Sequence, residues 1–162
     1  MMKMVRFSDE QSLEHGVTEG WLERIVGQCL SYENIDYGCE VGVTFVDDDA
    51  IRTLNREHRK LDRKTDVLSF PMLSDVRSVE KTDIDPETGL VYLGDVVISV
   101  ETAMRQAEEF GHSLEREIAF LTVHSMMHLM GYDHICESDR RIMRTHEEAV
   151  LDELNIKRTE IN

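Results

Sequence analysis

Residues 114–134, LEREIAFLTVHSMMHLMGYDH, decide the fold that this chain is expected to adopt. They predict a helix that follows Ser113, ends at Gly131 and is apolar around most of its circumference. A helix of that kind is usually central and buried. Its second half and the residues after it hold three of the chain's seven histidines, His124, His128 and His134.

The spacing of these histidines predicts a metal site. Residues four apart lie on one face of a helix, so His124 and His128 can bind the same ion. Gly131 can adopt the left-handed conformation that ends a helix, and the returning chain can bring His134 to that ion. A lone histidine on an apolar face is more often a core residue, but this spacing favours a ligand set. Three nitrogen ligands with an open fourth position are typical of a catalytic site for one divalent ion, and we expect zinc, although nickel, copper and iron also suit imidazole.

Ser125 limits the chemistry that this site can perform. The metzincin protease signature, HExxHxxGxxH, has the same histidine spacing but a glutamate at this position. That glutamate takes a proton from the metal-bound water and returns one to the leaving amine. Serine can do neither near neutral pH, so the sequence predicts a metal site without the protease machinery. Three neutral imidazoles leave the charge of the ion uncompensated, which suits an anionic phosphodiester.

A basic run lies between residues 52 and 64 of an otherwise acidic chain, whose formal net charge is −15. That net charge argues against non-specific binding of nucleic acid. Arginine, however, can bind two phosphate oxygens at once, so the run is a candidate phosphate-binding surface. A solvated helix face is the alternative interpretation. The basic residues are Arg52, Arg56, Arg59, Lys60, Arg63 and Lys64.

Length and composition predict one compact domain over residues 1–162, because the chain has 41% hydrophobic residues. No stretch approaches the roughly 18 uncharged residues of a membrane span, and the amino terminus has no signal-like apolar segment. We therefore expect a soluble, cytoplasmic protein. The three cysteines predict reduced thiols, and Cys136 is a less favoured candidate for a fourth ligand.

Strand patterns early in the chain and helices late predict an α+β fold, with a small mixed four-stranded sheet and helices packed around a central, metzincin-like metal-site helix. The expected strands are residues 3–7, 40–46, 66–70 and 89–99, with Gly94 at a bulge or a close approach. The expected helices follow Thr18 and residues 47–49, span 99–110, and run from Ser113 to Gly131 and from Ser138 to about Leu154. Residues 74–89 predict a flexible loop.

These motifs resemble those of the YbeY family of bacterial rRNA-maturation endoribonucleases, which share an HxxxHxxxxxH metal motif. The resemblance covers most of residues 43–134 and includes VTFVDDDAIRTLNREHR, TDVLSFPM, LGDVVIS and HSMMHLMGYDH. Many members have glycine where this chain has Ser125. Neither residue is a base, so the difference should leave the chemistry unchanged.

The resemblance implies a single-strand-specific, metal-dependent endoribonuclease that acts in small-subunit rRNA 3′-end processing and in ribosome quality control. It implies His124, His128 and His134 as the metal ligands and Arg59 as the catalytic arginine beside them. Its partners would be single-stranded rRNA and the ribosomal small subunit or its proteins. Two alternatives remain: an assembly factor whose metal is mainly structural, and, more remotely, a metallopeptidase.

Other residues carry weaker expectations. Arg56, Arg63 and Lys64 are candidates for RNA binding, since they belong to the same basic run as Arg59. Asp133 either orients a ligand histidine or faces solvent. His58 is more simply an exposed helical histidine than a group that touches substrate. The oligomeric state cannot be inferred from the sequence.

Overall fold

The structure is a computed structural model that describes residues 3–9 and 15–156. Within these residues the chain forms four strands and five α-helices. In chain order they are β1 (Lys3–Ser8), α1 (Glu19–Tyr32), β2 (Cys39–Val46), α2 (Asp48–Arg59), β3 (Val67–Pro71), β4 (Val91–Ser99), α3 (Val100–Phe110), α4 (Leu114–Leu129) and α5 (Glu137–Glu153).

The four strands form one mixed sheet in the order β1-β2-β4-β3. β1, β2 and β4 are parallel, whereas β3 lies antiparallel to β4 at the edge. Parallel neighbours need crossover connections, and α1 joins β1 to β2 in this way. The predicted α+β fold with a small mixed sheet is confirmed.

α4 is the central helix, as its apolar sequence predicted. Eleven of its sixteen residues are buried. It packs against α1, α3 and α5 and against β3 and β4, so almost every side of the helix is covered. Met126 and Met127 are fully buried and fill the core.

The ends of the helices largely match the sequence. Thr18, Ser99 and Ser113 each accept a backbone N–H bond as N-caps, which compensates one of the free amides at each helix start. α4 ends at Leu129, slightly before the predicted end, and Gly131 has a φ of 101°. That positive φ turns the chain back on itself, as the glycine predicted.

Gly94 lies both at a bulge and at a close approach of two segments, the two features predicted for this position. The register between β2 and β4 shifts opposite Gly94, and its φ of 144° is one that residues with side chains rarely adopt. A Cβ atom at this position would overlap the carbonyl oxygen of Phe70 and lie 2.9 Å from Cδ2 of Leu129. The end of α4 therefore approaches the sheet closely because Gly94 has no side chain.

The segment between β3 and β4 is more ordered than the sequence predicted. It contains a 3-10 turn at Lys81–Asp83, and Val76 lies in the core, 3% exposed. The hydroxyl of Tyr37 donates a hydrogen bond of 2.6 Å to the carbonyl oxygen of Val76. Leu73 and Val79 also pack against the core, so a few apolar side chains anchor a segment whose composition is polar on average.

Candidate metal centre and adjoining groove

His124, His128 and His134 converge at the end of α4. One ring nitrogen from each histidine lies within 4.8 Å of the other two. The ring centroids of His124 and His128 are 4.7 Å apart, and those of His128 and His134 are 5.0 Å apart. Nitrogen atoms that bind one zinc ion at about 2.1 Å are necessarily within about 4 Å of each other. The cluster is therefore close to ligating geometry.

Both histidines of α4 have an acceptor at Nδ1. The Nδ1 atom of His124 lies 3.2 Å from Oε1 of Glu147 on α5. That of His128 lies 3.0 Å from the carbonyl oxygen of Tyr132. A proton on Nδ1 that is donated to these acceptors leaves the lone pair of Nε2 free to bind an ion. Sequence spacing did not reveal Glu147, because it lies on another helix.

The protonation state of His128 also suits a metal. Burial of the ring, followed by the charge of neighbouring His124, lowers the pKa of His128 below its ordinary value. His128 is therefore neutral near pH 7, which is the form that binds metal ions. His134 is exposed, so one side of the cluster faces solvent. Three imidazoles with an open side fit a divalent ion.

Ser125 faces the sheet rather than the histidines. It is fully buried, and its hydroxyl lies 2.5 Å from the hydroxyl of Ser69 on β3. The position that carries the protease glutamate in the metzincin signature is therefore part of the core here.

Two neighbours of His134 lie outside the ligand set. Cys136 is exposed, with its Sγ 3.2 Å from Oγ of Ser138, and within the described residues the cluster contains only the three histidines. Asp133 is exposed and accepts a 2.8 Å hydrogen bond from the backbone N–H of His134. Its effect on ligand orientation stays a prediction.

Arg59 ends α2 on the opposite side of β3 from α4. Ser69 faces α4 through Ser125, whereas its neighbour Phe70 packs with α2, because adjacent residues of a strand point to opposite faces. The ring of exposed His58 contacts that of Phe70, with centroids 5.1 Å apart. Arg59 is exposed and lies outside the groove that adjoins the histidines. Its catalytic role stays a prediction.

Acidic side chains neutralise part of the basic run. Arg52 and Arg56 lie 2.9 Å and 3.9 Å from Asp62, and Lys64 lies 3.8 Å from Asp48. These are surface pairs, which typically contribute about 0–1 kcal/mol and exchange readily for another anion. Among the residues that the structure describes, no acidic group lies within ion-pair distance of Arg59, Lys60 or Arg63.

A second polar cluster lies beside the three histidines, and we call it the Glu33 network. Glu33 follows α1 and is 3% exposed. Its carboxylate accepts hydrogen bonds of 2.9 Å from the hydroxyl of Tyr132 and from Nη2 of Arg77. Nδ1 of His146 lies 2.8 Å from its other oxygen. Three segments of the chain therefore meet on one buried carboxylate.

The Glu33 network contacts two segments that adjoin the histidine cluster. Tyr132 lies in the turn between His128 and His134, and His146 precedes Glu147 on α5. Burial, together with the hydrogen bond to Glu33, raises the pKa of Tyr132 to about 12. Its hydroxyl therefore remains a donor throughout the physiological range. No spacing rule connects Glu33 with these partners, so the sequence did not reveal its role.

A groove of about 680 Å³ adjoins the cluster. His124 and His134 line it together with one face of α5 and with Phe120 of α4. The open side of the cluster thus continues into a cavity that falls within the size range of small-molecule sites, about 300–1,000 Å³.

The fold and the site together define a class of small α+β proteins in which a buried central helix and the turn after it bring together three imidazoles that could hold one metal ion. Residues 4–155 match the family model described as endoribonuclease YbeY. The chain belongs to this family, as the sequence motifs indicated.

Two relatives named endoribonuclease YbeY illustrate the extent of the similarity. The protein from Clostridioides difficile strain 630 is 45% identical over 153 residues, which cover 93% of this chain and 96% of that protein. The protein from Agathobacter rectalis is 44% identical over 144 residues, covering 84% and 87%. The solution structure of TM1509 from Thermotoga maritima superposes with a TM-score of 0.56 at 25% identity, covering 94% of this chain and 92% of that one.

Proposed function

We propose that this protein is a single-strand-specific, metal-dependent endoribonuclease that acts in small-subunit rRNA 3′-end processing and in ribosome quality control. The names of its relatives support the endoribonuclease reaction. The observation that carries the proposal is the cluster of three imidazoles, open on one side, with Ser125 buried against Ser69. Such a site lacks the protease base but suits an anionic phosphodiester.

His124, His128 and His134 would hold one divalent ion, for which we propose zinc. When bound, the ion would polarise the scissile phosphate and activate water. Glu147 and the carbonyl of Tyr132 orient the two helical rings, and the burial of His128 keeps its ring neutral. The chain itself thus supplies ligands that are held in the correct tautomer.

The basic run would bind the RNA backbone. Arg59 is proposed to stabilise the charge that develops on the cleaved phosphate, because a guanidinium can bind two phosphate oxygens together. Arg63 is proposed to bind a neighbouring phosphate directly. Arg56 and Lys64 would first exchange their surface carboxylates for phosphate, at a cost of about 1 kcal/mol or less. Asp133 would hold the backbone at His134.

The remaining proposals concern the setting of the reaction. We propose that residues 1–162 form a single hydrolase domain, that the protein is cytoplasmic, and that it docks on the ribosomal small subunit or its proteins. A net charge of −15 favours docking to a basic protein or a preformed complex over scanning of free RNA. In the described part of the chain, no helix combines the length and apolarity that crossing a bilayer requires.

The experiment that tests this function is cleavage of an end-labelled single-stranded RNA by metal-free protein with defined metals added back. Wild type, His128→Ala and Arg59→Glu are compared with Arg24→Glu, a charge reversal at an exposed position on α1 outside the basic run. We expect wild type and Arg24→Glu to cleave, and the other two to lose at least about 100-fold in rate. Circular dichroism checks that all variants remain folded.

Other outcomes discriminate between the alternatives. Equal cleavage by all four proteins identifies a contaminating nuclease and favours an assembly factor with a structural metal. Equal cleavage of a duplex and a single strand contradicts the proposed specificity. Metal-dependent cleavage of casein revives the metallopeptidase.

A further inference from the structure

One face of α5 lines the groove beside the histidine cluster, and its charges are divided along the helix. Arg140 and Arg144 lie in the first half of this face, whereas Glu148 and Asp152 lie in the second half. Glu147, between the two halves, contacts His124. The groove therefore passes the metal cluster with a cationic part on one side and an acidic part on the other.

The two arginines are exposed and unpaired. Within the described residues, no carboxylate lies within ion-pair distance of Arg140 or Arg144, whereas Arg6, Arg77 and Arg105 each contact an acid. Carboxylates that could pair with them are present on the same helix, since Glu137 precedes Arg140 by three residues and Glu148 follows Arg144 by four. Two guanidinium groups one helical turn apart, about 6 Å, can bind the oxygens of one phosphate together.

The floor of the groove is apolar. Met143 and Leu151 of α5, Phe120 of α4 and Ile156 line it. Such a floor favours the flat face of a base, because an unstacked base is stabilised when it packs against aromatic and other apolar side chains. From Arg144 to Asp152 the helix rises about 12 Å, which is comparable with the reach of one nucleotide from its phosphate to the far edge of its base.

We propose that this groove binds one unstacked nucleotide of the RNA strand, next to the bond that is cleaved. Arg140 and Arg144 bind its phosphate, the base lies on the apolar floor, and Glu148 and Asp152 accept hydrogen bonds from its exocyclic amino group. This inference rests on the proposed function of the adjoining cluster, since it names a binding subsite for that same substrate.

The proposal makes a prediction about base identity and strandedness. A carboxylate accepts a hydrogen bond from the amino group of cytosine, and adenine and guanine also have such a group, whereas uracil does not. In a duplex the same amino groups are paired and the bases are stacked. The groove therefore selects an unpaired cytosine, adenine or guanine over uracil and over any paired base.

The test is binding of fluorescein-labelled octacytidylate and octauridylate RNA to metal-free protein in a chelator, measured by fluorescence anisotropy. The variant Arg140→Glu/Arg144→Glu is compared with Arg24→Glu/Arg141→Glu, which has the same change in net charge. Arg141 is exposed on the same helix but does not line the groove. We expect the first pair to weaken octacytidylate binding at least about tenfold and the control pair less than about threefold. The slope of log affinity against log salt falls by about 1 in the first pair.

The acidic half is tested by Glu148→Gln/Asp152→Asn. In wild type we expect octacytidylate to bind about tenfold more tightly than octauridylate, which corresponds to one good hydrogen bond. Carboxamides donate as well as accept, so in the variant this preference should shrink to less than about threefold. Equal binding of the two RNAs by wild type, or unchanged binding by the arginine pair, overturns the inference.

Cleavage with metal restored separates this inference from the proposed function. If wild type cleaves RNA and the groove variants cleave it equally well, the groove is not a substrate subsite but the nuclease proposal stands. If wild type binds RNA in the groove and cleaves none with any metal, the nuclease proposal fails while the binding site remains.

Discussion

The histidine cluster and the Glu33 network lie side by side but are assembled from the chain in opposite ways. The three histidines come from eleven consecutive residues, 124–134. The carboxylate of Glu33 contacts side chains that are 44, 99 and 113 residues away in sequence. The residues of one site can thus lie in a single short segment, whereas those of the neighbouring site come from distant parts of the chain. Each region should therefore be separable from the other by mutation.

The largest effect is expected from His128→Ala. Removing one of three ligands should lower metal affinity by more than about 100-fold, since loss of a supporting contact alone costs about 10–100-fold. The unfolding free energy of the metal-free protein should change by only about 1 kcal/mol, because the half-buried ring makes one hydrogen bond to the carbonyl of Tyr132. Metal titration and urea denaturation measure the two quantities.

Ser125→Ala is the matched control, since it changes the next residue of the same helix. It removes the hydrogen bond to Ser69 and should cost about 1 kcal/mol of stability with metal affinity unchanged. If Ser125→Ala weakened metal binding as much as His128→Ala, the ligand assignment would be wrong.

The second prediction concerns the Glu33 network, where a substitution should lower stability more than it lowers metal affinity. Glu33→Gln keeps the shape but removes the charge that accepts hydrogen bonds from Arg77 and Tyr132. We expect a loss of about 2 kcal/mol in unfolding free energy, because hydrogen bonds to a charged group contribute about 1.5–3 kcal/mol and Arg77 is half exposed. Metal affinity should fall by less than about tenfold. Denaturation in urea with metal chelated checks the first expectation.

Tyr132→Phe sharpens this test, because it removes one hydrogen bond and leaves the buried charge in place. Its cost should be about 1 kcal/mol, smaller than that of Glu33→Gln. A loss of metal affinity in either variant as large as in His128→Ala would mean that the two regions form one cooperative unit.

The smallest effect on stability is expected from Glu147→Gln, next to His146 of the Glu33 network. The carboxylate of Glu147 lies 3.2 Å from Nδ1 of His124 and makes no contact with Glu33. Its replacement should lower metal affinity about tenfold, at the weak end of the range for such supporting contacts, with stability changed by less than about 0.5 kcal/mol. Isothermal titration calorimetry with zinc measures the affinity. Glu148→Gln, one residue further along α5, is the control and should bind zinc as wild type does.

The elements that the sequence predicted well are those with local signals. The strand pattern of β2, the N-caps of α1, α3 and α4, and the spacing of the histidines each depend on residues that are close together in sequence. Gly94 was predictable for the same reason, since a glycine inside a strand pattern signals a bulge or a close approach.

The features that were missed depend on packing between distant segments. Nothing near Glu33 in sequence distinguishes it from the other acids of the chain, and only its burial against Tyr132 and Arg77 gives it a role. Glu147 is one of several acids on α5, and its contact with His124 depends on how α5 packs on α4. The burial of Val76 was not predicted, because its neighbours in sequence are mostly polar. A sequence pattern predicts the secondary structure of one segment. The contacts of Glu33, Glu147 and Val76 depend instead on which segments pack together in the fold.

The order of the strands has a consequence for how the protein is made. β4 is the last of the four strands to be synthesised, but it lies in the interior of the sheet, between β2 and β3. β3 pairs only with β4 among the described strands, so it has no partner until the chain has been synthesised to Ser99. Pairings between such distant segments form slowly, because a long loop must close first. α4 is synthesised after β4, with only α3 between them. The histidines therefore emerge from the ribosome after the whole sheet has been synthesised but before α5, which carries Glu147. Binding of a metal ion would for this reason belong to the end of folding rather than to its beginning.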